Sequence, residues 1–320
     1  MDVLSDVFAA VRFSGGVFLD AEFTAPWCVL SQVGPEDFDS QGGPPAQLIA
    51  YHYVIDGQLL IRLDDGPPLP VLAGEIVLLP RNDAHVLGSA AGLRPQVIDD
   101  QIQAPGERTP AVLRHGGGGT PTHIICGYLG CDMPDNLLLQ ALPPLLKLGV
   151  RDGAGGAWLE DSFRHAAAEF AANRSGSGAV LGKLAELLFV EGIRRYLAAL
   201  PEGQTGWLAG LRDRLVGRAL ALMHGRVAHP WTTEELARAV GLSRSAFAER
   251  FTALIGQPPM RYLARWRLQL AALRLRDGGA ATAQIAAAVG YESDAAFNRA
   301  FKRAFGTTPA AWRHGGRLPG

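Results

Sequence analysis

The chain has 320 residues, enough for two domains with separate cores. Its formal charge of −1 hides two opposed halves: from Trp207 onward 17 Lys and Arg face 7 Asp and Glu, a net of +10, while the preceding part carries 13 against 24, a net of −11. This pattern predicts a polyanion partner for the C-terminal part alone, the three cysteines do not make a disulfide framework, and no apolar run of ~18 residues or basic leader points to a membrane or export, so a soluble, cytoplasmic chain is expected.

Residues 1–20 are mildly apolar and read as a short helix or an entry strand. From Gly16 onward strand and turn signals dominate. Leu48–Ile55 is rich in apolar and aromatic residues, Asp56-Gly57 is a hairpin signal, and Gln58–Leu63 alternates as a strand does. Asp65-Gly66-Pro67-Pro68 is a turn, and Gly74–Pro80 is a buried strand that stops at proline. Closely spaced short strands predict a β-sandwich or barrel over residues 1–150. Pro105–Pro121 is a Pro/Gly-rich interruption; its His115-Gly-Gly-Gly-Gly run has no Gly-x-Ser-x-Gly to accompany it and reads as a loop rather than an esterase oxyanion loop. Thr122–Leu129 reads as a further strand and Asn136–Leu142 as a short helix or turn.

At Ala157 the period becomes helical. Trp158–Ala172 and Leu181–Leu200 predict two helices broken at Ser175-Gly-Ser-Gly178. Leu184, Leu187, Leu188, Phe189 and Ile193 form a wide stripe that either packs on its own domain or pairs two subunits. Residues 151–202 are therefore a helical dimerisation or interdomain segment, and Pro201–Gly206 is a linker. Leu208–His224 predicts one helix opening a domain at 207–314, with Thr232 or Thr233 as the next N-cap.

That domain contains one pattern twice. Leu236, Gly241, Phe247 and Phe251 match Ile285, Gly290, Phe297 and Phe301. Each copy reads as a helix, a turn with glycine where a left-handed residue is wanted, and a second helix capped by serine, Ser243 or Ser293. The buried stripes are Phe247, Phe251 and Leu254 in one copy and Phe297, Phe301 and Phe305 in the other. These are two helix-turn-helix units. Pro259–Arg276 bridges them, with Leu263, Trp266, Leu270 and Leu273 on one face. Roughly 18 residues at ~1.5 Å each span ~27 Å, near the ~34 Å recurrence of the major groove. Double-stranded DNA is the expected partner.

Residues opposite the buried stripes are the ones free to touch DNA. In the first unit these include Arg244, Ser245 and Glu249; in the second, Ala295, Asn298, Arg299 and Lys302. Arginine suits guanine, asparagine suits adenine and glutamate can accept from cytosine. Lys302 and Arg303 suit phosphate.

The stretch from Trp231 to Trp312 resembles the DNA-binding domain of the AraC/XylS family of bacterial transcription regulators. Ala264-Arg-Trp-Arg-Leu-Gln-Leu-Ala-Ala, Val289-Gly-Tyr-Glu-Ser, Phe297-Asn-Arg-Ala-Phe-Lys-Arg and Gly306-Thr-Thr-Pro carry the resemblance. It implies that Ser245, Glu249, Ala295 and Arg299 stand at base-contact positions. Upstream, Gly74, Pro80 and His85 resemble the second signature of cupin barrels, with Asn82 where glycine is usual, and His52 resembles what remains of the first. Val54 and Gln58 occupy the region of that signature's other ligands, so its metal triad is incomplete. The layout resembles AraC-family regulators with an N-terminal cupin-type sensor.

The expected fold is therefore α+β, a cupin-like β-barrel with helices followed by an all-α domain of two helix-turn-helix units and a linker helix. The expected function is a transcription regulator, an activator and homodimer working with RNA polymerase and answering a small-molecule or oxidant effector. Cys28, His52, His85, His123 and Cys126 are the sensing candidates. No cofactor is required, although His52 and His85 could supply half of a divalent-metal site. Cys126 and Cys131, five positions apart, point to opposite faces if they share a strand, so a bond between them is not expected. An enzyme is not expected. The rivals are a cupin-type metal-dependent enzyme with a DNA-binding tail, a DNA-repair methyltransferase, for which the cysteines are too few, and a DNA-bending protein.

Overall fold

The computed structural model describes residues 3–10, 13–34, 45–64, 66–98, 102, 111–131, 136–152, 156–172, 174–201 and 203–314. Residue 65 of the expected turn and residues 105–110 of the Pro/Gly-rich interruption lie outside them. The chain forms two compact units, one of Phe13–Asp132 with Leu142–Arg195, the other of Met1–Arg12, Met133–Ala141 and Tyr196–Gly320. No helix among the described residues is long and apolar enough to cross a membrane.

The first unit is a cupin-like barrel built from two sheets. One has the order β10 (Leu146–Gly149), β6 (Glu75–Leu79), β3 (Gln47–Asp56), β9 (Pro121–Cys131), β1 (Phe13–Thr24), β8 (Ala111–Gly116). The other has the order β2 (Cys28–Ser31), β7 (His85–Gly88), β4 (Gln58–Leu63), β5 (Leu69–Leu72). β1 and β8 run parallel, and the remaining neighbours are antiparallel. Alternation sends Ala50 and Val54 of β3, Leu59 and Ile61 of β4, Leu87 of β7 and Ile124 and Cys126 of β9 into one shared core with Trp27 and Phe23.

β3 is buried on both faces, which is why its sequence reads as a continuous apolar run. Its outer residue Tyr53 stacks obliquely on Phe163 of α3 (Gly156–Ala171), with ring centroids 4.5 Å apart. The hairpin expected at Asp56-Gly57 does not form. β3 and β4 lie in different sheets, and the chain crosses between them at Gly57, φ +80°. A Cβ at Gly57 would stand 2.5 Å from the Pro121 carbonyl, so close approach to β9, as well as the turn, requires glycine there.

α4 (Ser177–Ala199) packs with Leu181, Ala185, Leu188, Phe189 and Ile193 buried. Phe189 meets Phe13 edge-to-face at 5.1 Å. The expected stripe was displaced by part of a turn: Leu184 is half-buried and Leu187 is 40% exposed. Gly182 and Gly192 allow close packing that a hydrophobic-residue count ignores, and at Gly192 a Cβ would meet Leu148 at 2.5 Å.

The second unit is helical. α1 (Val3–Ala10) packs against α6 (Arg214–Gly225) and α9 (Pro259–Arg276), and α2 (Leu137–Gln140) against α5 (Trp207–Arg212). The single helix expected over Leu208–His224 is broken at Asp213, whose extended backbone and carboxylate cap α6 through the Leu215 and Val216 amides. Arg250 pairs with the same carboxylate at 2.5 Å and helps hold it below its usual pKa, against the opposing effect of burial. α7 (Thr233–Val240) and α8 (Arg244–Ile255) form the first helix-turn-helix, with Thr232 and Ser243 as caps and Gly241 at φ +77°. α10 (Thr282–Ala288) and α11 (Asp294–Phe305) form the second, capped by Ser293 at α11 and closed by α12 (Pro309–Arg313).

Phe247, Phe251, Phe297, Phe301 and Phe305 are buried as the repeat implies, while Leu254 is half-buried. Each fully buried phenylalanine contributes about 1.5–3 kcal/mol. The linker helix α9 is buried more widely than its expected single stripe. Tyr262, Leu263 and Trp266 are covered, but so are Leu268, Ala271, Ala272 and Leu275, whereas Leu270 and Leu273 are half-exposed. A helix that packs on both helix-turn-helix motifs needs two apolar faces, and one stripe describes only one of them.

Candidate nucleic-acid interface and barrel interior

The caps and buried phenylalanines fix how α8 and α11 rotate about their axes. Arg244, Ser245 and Glu249 are consequently exposed on α8, and Ala295, Asn298, Arg299, Lys302 and Arg303 are exposed on α11. Ser245 Oγ lies 3.3 Å from the cap hydroxyl of Ser243, and Asn298 donates to the Asp294 carbonyl at 2.8 Å. Arg299 and Arg303 line an open groove between α11 and α9, together with Arg261 and Arg265 of α9. These last two were missed because the linker helix was read only for its apolar stripe.

Arg267 was missed as well. It reaches from α9 to the Val227 carbonyl at 2.9 Å, the His229 carbonyl at 2.6 Å and the Gly290 carbonyl at 3.3 Å. It thereby ties the entry to the first helix-turn-helix to the turn of the second. Burial lowers its pKa. Gly290, at φ +87°, has no room for a Cβ, which would stand 2.8 Å from the Arg267 guanidinium.

In the barrel, alternation points His52, His85 and Cys126 inward, and both histidines are 1% exposed. His85 Nδ1 lies 2.9 Å from the Asp83 carbonyl, which can only accept, so that nitrogen carries the proton. In a neutral ring His85 Nε2 then accepts, and it receives the proton of His52 Nε2 at 2.7 Å. His52 Nδ1 is left to accept the Cys126 thiol at 3.0 Å. The result is one directed chain from thiol to carbonyl. Burial, and then the neighbouring His85, hold the His52 pKa well below its ordinary value; burial also lowers that of His85 and raises that of the Cys126 thiol. All three groups are neutral near pH 7.

A metal ion needs more than this. Only His52 Nε2 and His85 Nε2 face one another, Cys126 sits on the opposite nitrogen of His52, and the described residues hold no group of three or more His, Cys, Asp or Glu side chains able to bind a metal. Two nitrogens are one ligand short even of an open catalytic zinc site, so the described residues do not by themselves make one. His123 lies on the other face of β9. Its Nε2 is 2.5 Å from Asp20 Oδ1, and that hydrogen bond raises its pKa against the effect of burial.

The three cysteines are buried and unbonded to one another. Cys28 differs from Cys126 in its surroundings. It lines two cavities of about 410 and 330 Å3, the first with Trp27, Arg94 and His115 and the second with Arg62. Its thiol donates to the Leu93 carbonyl at 3.6 Å, and burial raises its pKa, partly offset by Arg62.

A barrel domain followed by two helix-turn-helix units on one linker helix defines a class of two-part DNA-binding proteins. The cupin family model matches residues 2–198 and a helix-turn-helix domain model matches residues 236–315. The chain is 32% identical to an AraC-like transcription regulator of Streptomyces antibioticus, covering 98% of each chain. It is 30% identical to the HTH-type transcriptional regulator AlkR of Acinetobacter baylyi, over 98% of this chain and 99% of that one. It is 27% identical to the RCS-specific HTH-type transcriptional activator RclR of Escherichia coli, over 85% and 86%. The chain belongs to the AraC-like transcription regulators with an N-terminal cupin domain.

Proposed function

We propose that this regulator binds promoter DNA in a sequence-specific way through α8 and α11 and activates transcription in response to a small molecule or oxidant acting on its barrel. The observation that carries the DNA-reading part is the pair of capped, exposed helix faces in the basic part of the chain. Arg299 is the principal base reader, with Ala295 and Asn298 on the same helix and Arg244, Ser245 and Glu249 on α8; Lys302 and Arg303 hold phosphate. RNA polymerase is the downstream partner, and the cytoplasm is where such a protein acts.

The active form is a homodimer. Supporting this, Val180 and Leu187 on α4 are 51% and 40% exposed, and with half-buried Leu184 they follow i, i+4, i+7 spacing. For the signal, Cys28 is favoured over Cys126 because it borders cavities wide enough for a small effector, whereas the Cys126 proton is held by His52. His52 and His85 act here as the polar lining of the barrel rather than as catalytic ligands, and His123 as a partner of Asp20. Genomic footprinting with the purified chain, repeated with oxidants and candidate ligands, tests the reading. Promoter protection that changes with one effector and is lost or blunted in Cys28→Ser supports it; absence of promoter protection under every condition removes it.

A further inference from the structure

The groove between the linker helix and the second recognition helix has a volume of about 920 Å3. Arg261 and Arg265 of α9 and Arg299 and Arg303 of α11 line it, and no carboxylate is among the described residues that do so. Each pair has i, i+4 spacing, so its members project from one face of their helix about 6 Å apart along the axis. Ala264 and Ala300 also line the groove and keep that part low, so a bulky chain can approach. Gln140 of α2 accepts from Arg265 Nη2 at 3.0 Å, which holds the guanidinium at the groove.

Like charges gathered along one open groove repel unless a polyanion lies there. A guanidinium offers two parallel donors that match a phosphate, and it stays charged at every relevant pH. We propose that the linker helix is itself a DNA-contacting element, in which Arg261 and Arg265, together with Arg303, grip the phosphates of the strand that runs between the two major-groove segments. This rests on α8 and α11 being the DNA readers. It adds a sequence-independent grip, and α9 becomes more than a spacer.

Phosphate contacts release counterions, so each one adds roughly 0.9 to the slope of log affinity against log salt. The test uses the full chain and fluorescence anisotropy over a salt series, on a short random-sequence duplex and on the best duplex selected from a random pool. The Arg261→Gln/Arg265→Gln variant should lower the slope by about 2 on both duplexes and leave the ranking of sequences unchanged. Arg261→Gln alone, at an exposed side chain, should lower it by about 1 and covers the case in which replacing Arg265 unsettles the fold. The Lys variants should retain most of the slope. Wild-type binding with an unchanged slope in the Gln variants overturns the linker-helix proposal and leaves the DNA-reading function standing. A wild-type chain with no salt-dependent duplex binding overturns both.

Discussion

Arg299 and the three buried histidines make opposite demands on their surroundings. Arg299 is exposed, and as the proposed base reader it stays in water until a base edge replaces it. Arg299→Ala should weaken specific binding by roughly 1–3 kcal/mol and relax selectivity at one base pair, as titrations against single-base operator variants would reveal; equal selectivity at every position would refute its role. The histidines must stay dry. Burial lowers the pKa of His52 and His85, and that of His224 to about 3 from an ordinary 6.5. Burial is the cause; the His224 ring stacks on Trp266 at 4.1 Å and makes a 2.7 Å hydrogen bond to Tyr262. Between those values the unfolded chain binds protons that the folded chain refuses. Stability is therefore full above about 6.5 and falls as the pH drops, by up to ~1.4 kcal/mol per pH unit for each ring. Urea midpoints should decrease from pH 7.5 toward about pH 5, and His224→Phe should flatten the part due to the helical unit.

The linker helix bears a load at the next level up. Arg267 joins α9 to the segment leading into the first helix-turn-helix and to the turn of the second, and so couples the placement of the two units. Charge-assisted hydrogen bonds contribute about 1.5–3 kcal/mol each at most, and they share one side chain here. Arg267→Ala should cost the helical unit roughly 2–4 kcal/mol in urea unfolding. It should also blunt discrimination between operators whose half-sites differ in spacing, because the angle between the recognition helices loosens. The paired helices were legible in the sequence because glycine, serine and phenylalanine recur in matching register. Arg267 was not, because its partners are backbone carbonyls, and a carbonyl leaves no mark in a sequence. The crossing at Gly57 was misread for a related reason: Asp-Gly specifies a tight turn, but whether the following strand stays in the same sheet depends on packing decided elsewhere.

For the molecule as a whole, the two sheets fall within the acidic part of the sequence and the two helix-turn-helix units within the basic part, where a polyanion partner was expected. The barrel's interior was only half legible. His52 and His85 stood out by motif, yet their bonding to each other and to Cys126 depends on strand register, which alternation alone cannot supply. The exposed apolar residues of α4 carry the prediction about assembly. Val180→Asp/Leu187→Asp should shift the chain from dimer to monomer in sedimentation velocity while leaving its circular dichroism unchanged, and an unaltered dimer would place the contact elsewhere. The most direct test of the account is selection of duplexes from a random-sequence pool by the full-length chain at moderate salt. It predicts an enriched bipartite motif whose two blocks are separated by about one helical turn, ~10 base pairs. Recovery of duplexes with no sequence preference over bulk competitor would contradict it.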